Sequence, residues 1–123
     1  MSPDEKSRIK KALCNADKLL ESGRGNEAIP ILYGLYKYKL DSARLTATIA
    51  NVYWELGCYD KAVERFKEAT KLDPQCEVAS LGLFHCLWEQ SKRNEALEEV
   101  KRFMSHSYSQ DYSDIINEIN GNK

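Results

Sequence analysis

The side chains of this sequence best suited to nucleophilic or metal chemistry are its cysteines and histidines. There are four cysteines and two histidines, and Cys86 directly follows His85. A cysteine nucleophile needs an imidazole beside its thiolate, whereas consecutive residues of a helix point about 100° apart. A structural zinc site needs four closely spaced ligands, and Cys76, His85 and Cys86 include no C-x-x-C pair. We therefore expect no enzyme, no bound metal and no cofactor.

Phosphate, nucleic-acid and membrane binding are also poorly supported. The segment Gly23-Arg24-Gly25 suits a turn between helices better than a phosphate-binding loop. The net charge is −1, and basic residues alternate with acids between Lys61 and Lys71, which is typical of a solvated helix face. The N-terminus is too polar for a signal peptide, and no stretch approaches the roughly 18 apolar residues that span a bilayer. We expect a cytoplasmic protein with reduced thiols and no nucleic-acid or membrane partner.

The helices that would carry any functional side chain are clearest in residues 42–75. On each side of a break at residues 57–59, apolar residues recur at helical spacing. They are Leu45, Ile49, Val52, Tyr53 and Leu56 before the break, and Ala62, Val63, Phe66, Ala69 and Leu72 after it. Asp60 is a candidate N-cap for the second helix, and Pro74 ends that helix. The pattern predicts a helical hairpin with two apolar faces, which neighbouring helices must cover.

This hairpin resembles the tetratricopeptide repeat, a family whose period is 34 residues. Counting from Ala43, the matching residues are Ala50, Tyr53, Gly57, Ala62, Phe66, Ala69 and Pro74. Related segments recur one period away as Asn26–Ile29, Asp60–Val63 and Asn94–Leu97, with Gly23, Gly57 and Ser91 at the turns. We therefore divide a single domain, residues 1–123, into repeats at about 9–42, 43–76 and 77–110.

The resemblance implies an all-α, right-handed solenoid of three helical hairpins, in which the first helix of each repeat lines a concave groove. The implied partner-binding residues are Asp17, Glu21, Arg44, Asn51, Trp54, Glu55, His85, Trp88 and Glu89. An alternative interpretation makes Trp54 and Trp88 core residues. Against it, each follows another inward residue, so one member of each pair must leave the hairpin core.

The first repeat is expected to contain two long helices. Ser2 is a candidate N-cap for a helix from about Pro3 to Ser22. Its expected apolar stripe is Ile9, Leu13, Ala16, Leu19 and Leu20. Asn26 is a candidate N-cap for a second helix, from Glu27 to about Lys39, that continues through Pro30. We expect the hydroxyls of Tyr33 and Tyr36 to reach water.

The third repeat departs from the family pattern at two positions. Phe84 and Phe103 stand where small residues are usual, so they should either separate the two helices or turn toward the C-terminal segment. A final helix at about 111–120 is predicted to cover the third hairpin, as solenoids require of their ends. Its expected apolar stripe is Ile115, Ile116 and Ile119. Residues 121–123 are expected to fray.

The predicted function is non-catalytic binding of a protein or peptide, as an adaptor or an assembly chaperone. Asp17, Glu21, Glu55 and Glu89 outnumber the bases of the groove, so the partner is expected to present a basic segment. The alternative is a bacterial immunity protein that neutralises a cognate toxin. The oligomeric state is not indicated by the sequence.

Overall fold

The computed structural model describes residues 1–121 and contains seven α-helices and one 3₁₀ helix within them. The α-helices are α1 (Pro3–Glu21), α2 (Gly25–Gly34), α3 (Ser42–Glu55), α4 (Tyr59–Leu72), α5 (Glu77–Glu89), α6 (Arg93–Met104) and α7 (Gln110–Ile119). Consecutive helices pack in the pairs α1–α2, α3–α4 and α5–α6, and each pair also packs on the next. The predicted all-α fold is confirmed.

The three turns within the pairs have the same geometry. Gly23, Gly57 and Ser91 have positive φ angles of 76°, 81° and 62°. At each turn, the amide after this residue donates to a carbonyl five residues earlier, as Lys92 does to Leu87 at 2.9 Å. These bonds satisfy carbonyls that a helix end leaves without partners. The turns therefore recur at the spacing that the sequence predicts.

The predicted N-caps Asn26 and Asp60 are wrong. The residue that completes each turn, Arg24 or Cys58, also precedes the next helix, so α2 and α4 begin earlier, at Gly25 and Tyr59, without a side-chain cap. Asp60 instead lies in the first turn of α4, where its charge favours the helix dipole. The cap predicted for α1 is present, because Ser2 forms a capping box with Glu5.

The second helix also ends earlier than predicted. The chain continues through Pro30, but α2 ends at Gly34 and a 3₁₀ helix runs from Leu35 to Tyr38. Glycine is a weak helix former, which accounts for the change at this point. The half-buried Tyr36 forms a hydrogen bond within the protein, since its hydroxyl lies 2.5 Å from the hydroxyl of the buried Thr46.

The core contains two clusters. One joins α1, α2 and α3 through aliphatic side chains such as Leu32, Ile49 and Val52, and the other extends from α3 to α7. Ala62 is fully buried, as it must be if two helices touch there, and Ala28 and Ala96 are equally buried. Leu13 does not belong to the core stripe of α1, because it is 40% exposed.

Helix α7 covers the last pair, although a different residue from those predicted anchors it. Tyr112 is fully buried, and its ring centroid lies 5.7 Å from those of both Phe84 and Phe103. The expected isoleucine stripe is only partly buried, and Ile119 is 39% exposed. Fraying was expected at residues 121–123, of which Asn122 and Lys123 lie outside the described residues.

A buried chain of polar groups fixes Tyr112 in place. Ser80 Oγ lies 2.6 Å from a Glu99 carboxylate oxygen and 2.7 Å from the Tyr112 hydroxyl. Because serine has one hydroxyl proton and donates it to the carboxylate, Tyr112 must donate to Ser80. Arg102 donates twice to Glu99, at 2.6 and 2.8 Å, and once to the Pro74 carbonyl. Burial raises the pKa of Tyr112 above its usual value, so the phenol keeps its proton.

Candidate functional site

The candidate residues lie on three helices. Asp17 and Glu21 are on α1, and Arg44, Asn51, Trp54 and Glu55 are on α3. His85, Trp88 and Glu89 are on α5. Helix α3 packs directly against α5, whereas the main contacts of α1 are with α2. The structure therefore brings the α3 and α5 candidates together more closely than those of α1.

A cavity of about 180 Å³ forms where α3 meets α5. Four of the candidates line it, namely Asn51, Trp54, His85 and Glu89. Asp17, Glu21, Arg44, Glu55 and Trp88 do not line it. A larger cavity of about 590 Å³ lies elsewhere, between α4, α5 and α6, and contains none of the candidates.

The floor of the α3–α5 cavity is formed by residues that the sequence analysis did not assign to a site. They are Phe66, Gly82 and Cys86. A Cβ atom on Gly82 would lie 2.2 Å from the Phe66 ring, so only glycine lets this ring lie against the backbone of α5. The signal available in the sequence was a glycine in the interior of a helix, which often marks a close approach.

The two tryptophans occupy equivalent positions in different surroundings. Both are half-buried against the core. Trp88 is flanked by Phe84, stacked at 5.6 Å, and by the Arg93 guanidinium, 4.6 Å from its ring. Trp54 contacts the Tyr59 ring at 4.5 Å, and Ala50 stands at the position of Phe84. Tyr59 thus stands at the position of Arg93, and within residues 1–121 no cation lies over the Trp54 ring.

The acidic candidates are exposed and carry no partner charge within the described chain. Asp17, Glu21, Glu55 and Glu89 all have exposed side chains. The ion pairs of residues 1–121 join Arg24 to Glu27, Arg65 to Glu64 and Glu68, and Arg102 to Glu99. Within this part of the chain, none of the four acids pairs with a neighbouring Lys or Arg. Such surface pairs would have contributed little to stability and left the acids unavailable to a partner.

The buried Cys86 thiol lacks the lowered pKa of a nucleophilic cysteine. Burial raises the pKa of the Cys86 thiol to about 12, which keeps it protonated and weakly nucleophilic. In the described part of the chain, no three His, Cys, Asp or Glu side chains are arranged to hold a metal ion. None of the helices within residues 1–121 has the length and apolar character that a membrane crossing requires.

Residues 43–76, the α3–α4 pair with its flanking turns, match the family model for the tetratricopeptide repeat. This segment is a tetratricopeptide repeat. The matched residues coincide with the central repeat inferred from the sequence. No curated protein matches this sequence significantly.

Solved structures similar to this chain include two of MamA. One is a MamA RS-1 ArsTM double mutant, with 20% identity and a TM-score of 0.69, matched over 81% of this chain and 56% of that chain. The other is MamA 41-end from Desulfovibrio magneticus RS-1, with 20% identity and a TM-score of 0.68, matched over 80% of this chain and 55% of that one. The chain thus spans little more than half of either neighbour. The likeness confirms a helical repeat fold, and the family match supports a protein-interaction module.

Proposed function

We propose that this protein binds a polypeptide partner through the surface that α1, α3 and α5 form, and that the bound segment is basic. The observation that carries the proposal is the set of exposed carboxylates on Asp17, Glu21, Glu55 and Glu89, which form no ion pair within residues 1–121. Unpaired acids on one surface attract cationic side chains and increase the rate at which they are encountered.

The outer helix pairs resemble the central one in their turns. We infer that α1–α2 and α5–α6 are repeats of the same type, at residues 9–42 and 77–110, because their turns repeat the hydrogen bonds of the central one. Three stacked repeats are about the number that gives a continuous core. On this basis the first helices α1, α3 and α5 share the groove, and the acids of all three face one partner.

A charge-reversal experiment tests this function. The tagged full chain captures partners from an extract of its own cells, and the dissociation constant of each captured partner is then measured. Glu55→Lys with Glu89→Lys should weaken binding at least tenfold, because two attractions become repulsions. Rising salt should weaken the wild-type complex through screening. Helicity should not change, since both side chains are exposed.

A matched control separates the groove from overall charge. Glu98→Lys with Glu118→Lys makes the same change in net charge at two exposed positions on α6 and α7. This variant should bind nearly as wild type does. If both double variants lose binding equally, or neither loses it, the partner does not use the groove.

The number and tightness of captured partners distinguish two roles. We propose an adaptor in the cytoplasm, which binds several partners through a shared basic feature. One very tight partner whose toxic activity disappears on binding would instead identify an immunity protein. No contact in the described part of the chain favours that second role.

A further inference from the structure

We propose that the cavity between α3 and α5 is a specificity pocket for one cationic side chain, Lys or Arg, of the bound polypeptide. This inference rests on the proposed function and adds to it where the basic segment is recognised. The pocket is the α3–α5 cavity defined above, with Asn51, Trp54, His85 and Glu89 around it.

The lining matches a side chain with an apolar stem and a charged end. The Phe66 ring and the Gly82 backbone provide an apolar floor, and Trp54 provides an aromatic wall. The Glu89 carboxylate and the Asn51 amide provide oxygen acceptors. Lysine and arginine have this division, with an alkyl stem that packs on apolar groups and a cationic end that seeks acceptors and aromatic faces.

The size of the cavity limits what it can hold. Pockets for drug-sized ligands are about 300–1,000 Å³, whereas this one is about 180 Å³. It is therefore suited to part of a larger partner, such as one side chain, and not to a complete small-molecule ligand. An acidic side chain would be repelled by the Glu89 carboxylate.

In residues 1–121 the groups that would contact the cation have no charged partner, although the Tyr59 ring centroid lies 4.5 Å from that of Trp54. The Glu89 carboxylate has no Lys or Arg nitrogen within 4.0 Å there. Cations of the same region lie over Tyr38, Tyr53 and Trp88, which leaves the Trp54 indole without one. Within residues 1–121 a cation lies over a tryptophan ring in one place, where Arg93 contacts Trp88.

Nuclear magnetic resonance of the full chain tests the pocket, because the two tryptophans provide a site and an internal control. The probes are N-acetyl-lysine methylamide, N-acetyl-arginine methylamide and the neutral N-acetyl-norleucine methylamide. The two cationic probes should shift the Trp54 indole and Gly82 amide signals saturably. The Trp88 indole should shift much less, since Phe84 and Arg93 flank it. The relative affinities of the two cationic probes will show which side chain the pocket prefers.

Substitutions at two exposed residues should change the affinity for the lysine probe in opposite directions. Glu89→Gln should weaken binding of the lysine probe about tenfold, as expected for loss of a hydrogen bond to a charged group. Asn51→Asp should strengthen it, by adding a second carboxylate. Glu118→Gln is the matched control, because Glu118 is an exposed carboxylate on α7 that does not line the cavity, and it should leave the affinity unchanged.

Three results would overturn the proposed pocket. The first is an equal shift of the Trp54 and Trp88 signals, and the second is binding of the norleucine probe as tight as that of the cationic probes. The third is an unchanged affinity in both Glu89→Gln and Asn51→Asp. If the probes fail while Glu55→Lys with Glu89→Lys still abolishes partner binding, the groove binds a basic segment without this pocket. If the probes bind as described but that double variant keeps its partner, the pocket stands and the proposed groove function fails.

Discussion

The middle and last helix pairs differ at two equivalent positions, and this difference changes how each pair is completed. Ala50 and Ala69 are fully buried in the middle pair, where α3 and α4 contact each other more extensively than α5 and α6 do. Phe84 and Phe103 take their places in the last pair, and both rings contact Tyr112 of α7. Small residues thus let the two helices of a pair pack closely, while large residues create a surface on which another helix packs.

The same exchange affects the candidate site. Phe84 stacks on Trp88, whereas Ala50 leaves no ring at the corresponding place beside Trp54. Phe84, which contacts Tyr112 of the final helix, therefore also stacks on one tryptophan. Phe84, in place of Ala50, thus both contributes to the surface on which α7 packs and stacks on Trp88, a neighbour that Trp54 does not have.

The largest loss of stability is expected from removing the Tyr112 ring that packs on the last pair. Tyr112→Ala removes a fully buried ring and its hydrogen bond to Ser80, and should lower the free energy of unfolding by about 3–5 kcal/mol. Urea denaturation monitored by circular dichroism measures this change. Tyr112→Phe is the control, and it should cost about 1–3 kcal/mol because the Ser80 hydroxyl loses its donor. A Tyr112→Ala variant as stable as wild type would show that α7 is only an appendage.

A smaller loss of stability should result from placing in the middle pair the phenylalanine that the last pair has at the equivalent position. Ala69→Phe places a large ring where no helix is available to receive it, and should destabilise the fold by about 1–3 kcal/mol through overpacking. Leu72→Phe, on the exposed side of the same helix, should change stability by less than about 0.5 kcal/mol. Thermal unfolding of both variants gives the comparison. Equal melting temperatures would mean that α3 and α4 do not need small residues to approach.

The smallest effect concerns the turn of the last pair. Ser91 adopts the left-handed conformation that glycine provides in the other two turns, at a cost of about 1–2 kcal/mol to a residue with a Cβ. Ser91→Gly should therefore stabilise the protein by about 0.5–1 kcal/mol, after the greater flexibility of glycine in the unfolded chain is subtracted. Gly57→Ala should do the opposite, as differential scanning calorimetry can show. Stabilisation by both changes would contradict the shared turn geometry.

The sequence was sufficient to predict the features that depend on local spacing. Apolar periodicity located the helices, and Gly23, Gly57 and Ser91 located the turns. Pro74 was also correctly placed just beyond the end of α4, at Leu72. These signals act over a few residues, so they can be read without knowing what lies across the fold.

Features that depend on contacts between distant segments were missed or misplaced. Tyr112 was not assigned to the core, because its role depends on Phe84 and Phe103, which belong to other helices. Gly82 gave no site prediction, since its importance comes from the Phe66 ring. The N-caps were wrong for a related reason, as a capping residue such as Asp60 is outcompeted by the geometry of the preceding turn. Of the candidate site, the sequence indicated the residues around the α3–α5 cavity but not its floor.

The turns within the pairs also influence how the paired helices are spaced. In each turn the residue that completes it, Arg24, Cys58 or Lys92, directly precedes the next helix. The paired helices are therefore joined by a short hydrogen-bonded turn. Such a connection favours a fixed spacing between the two helices of each pair. On the proposed function, a partner would meet this spacing already formed, so that ordering this protein would cost little entropy on binding.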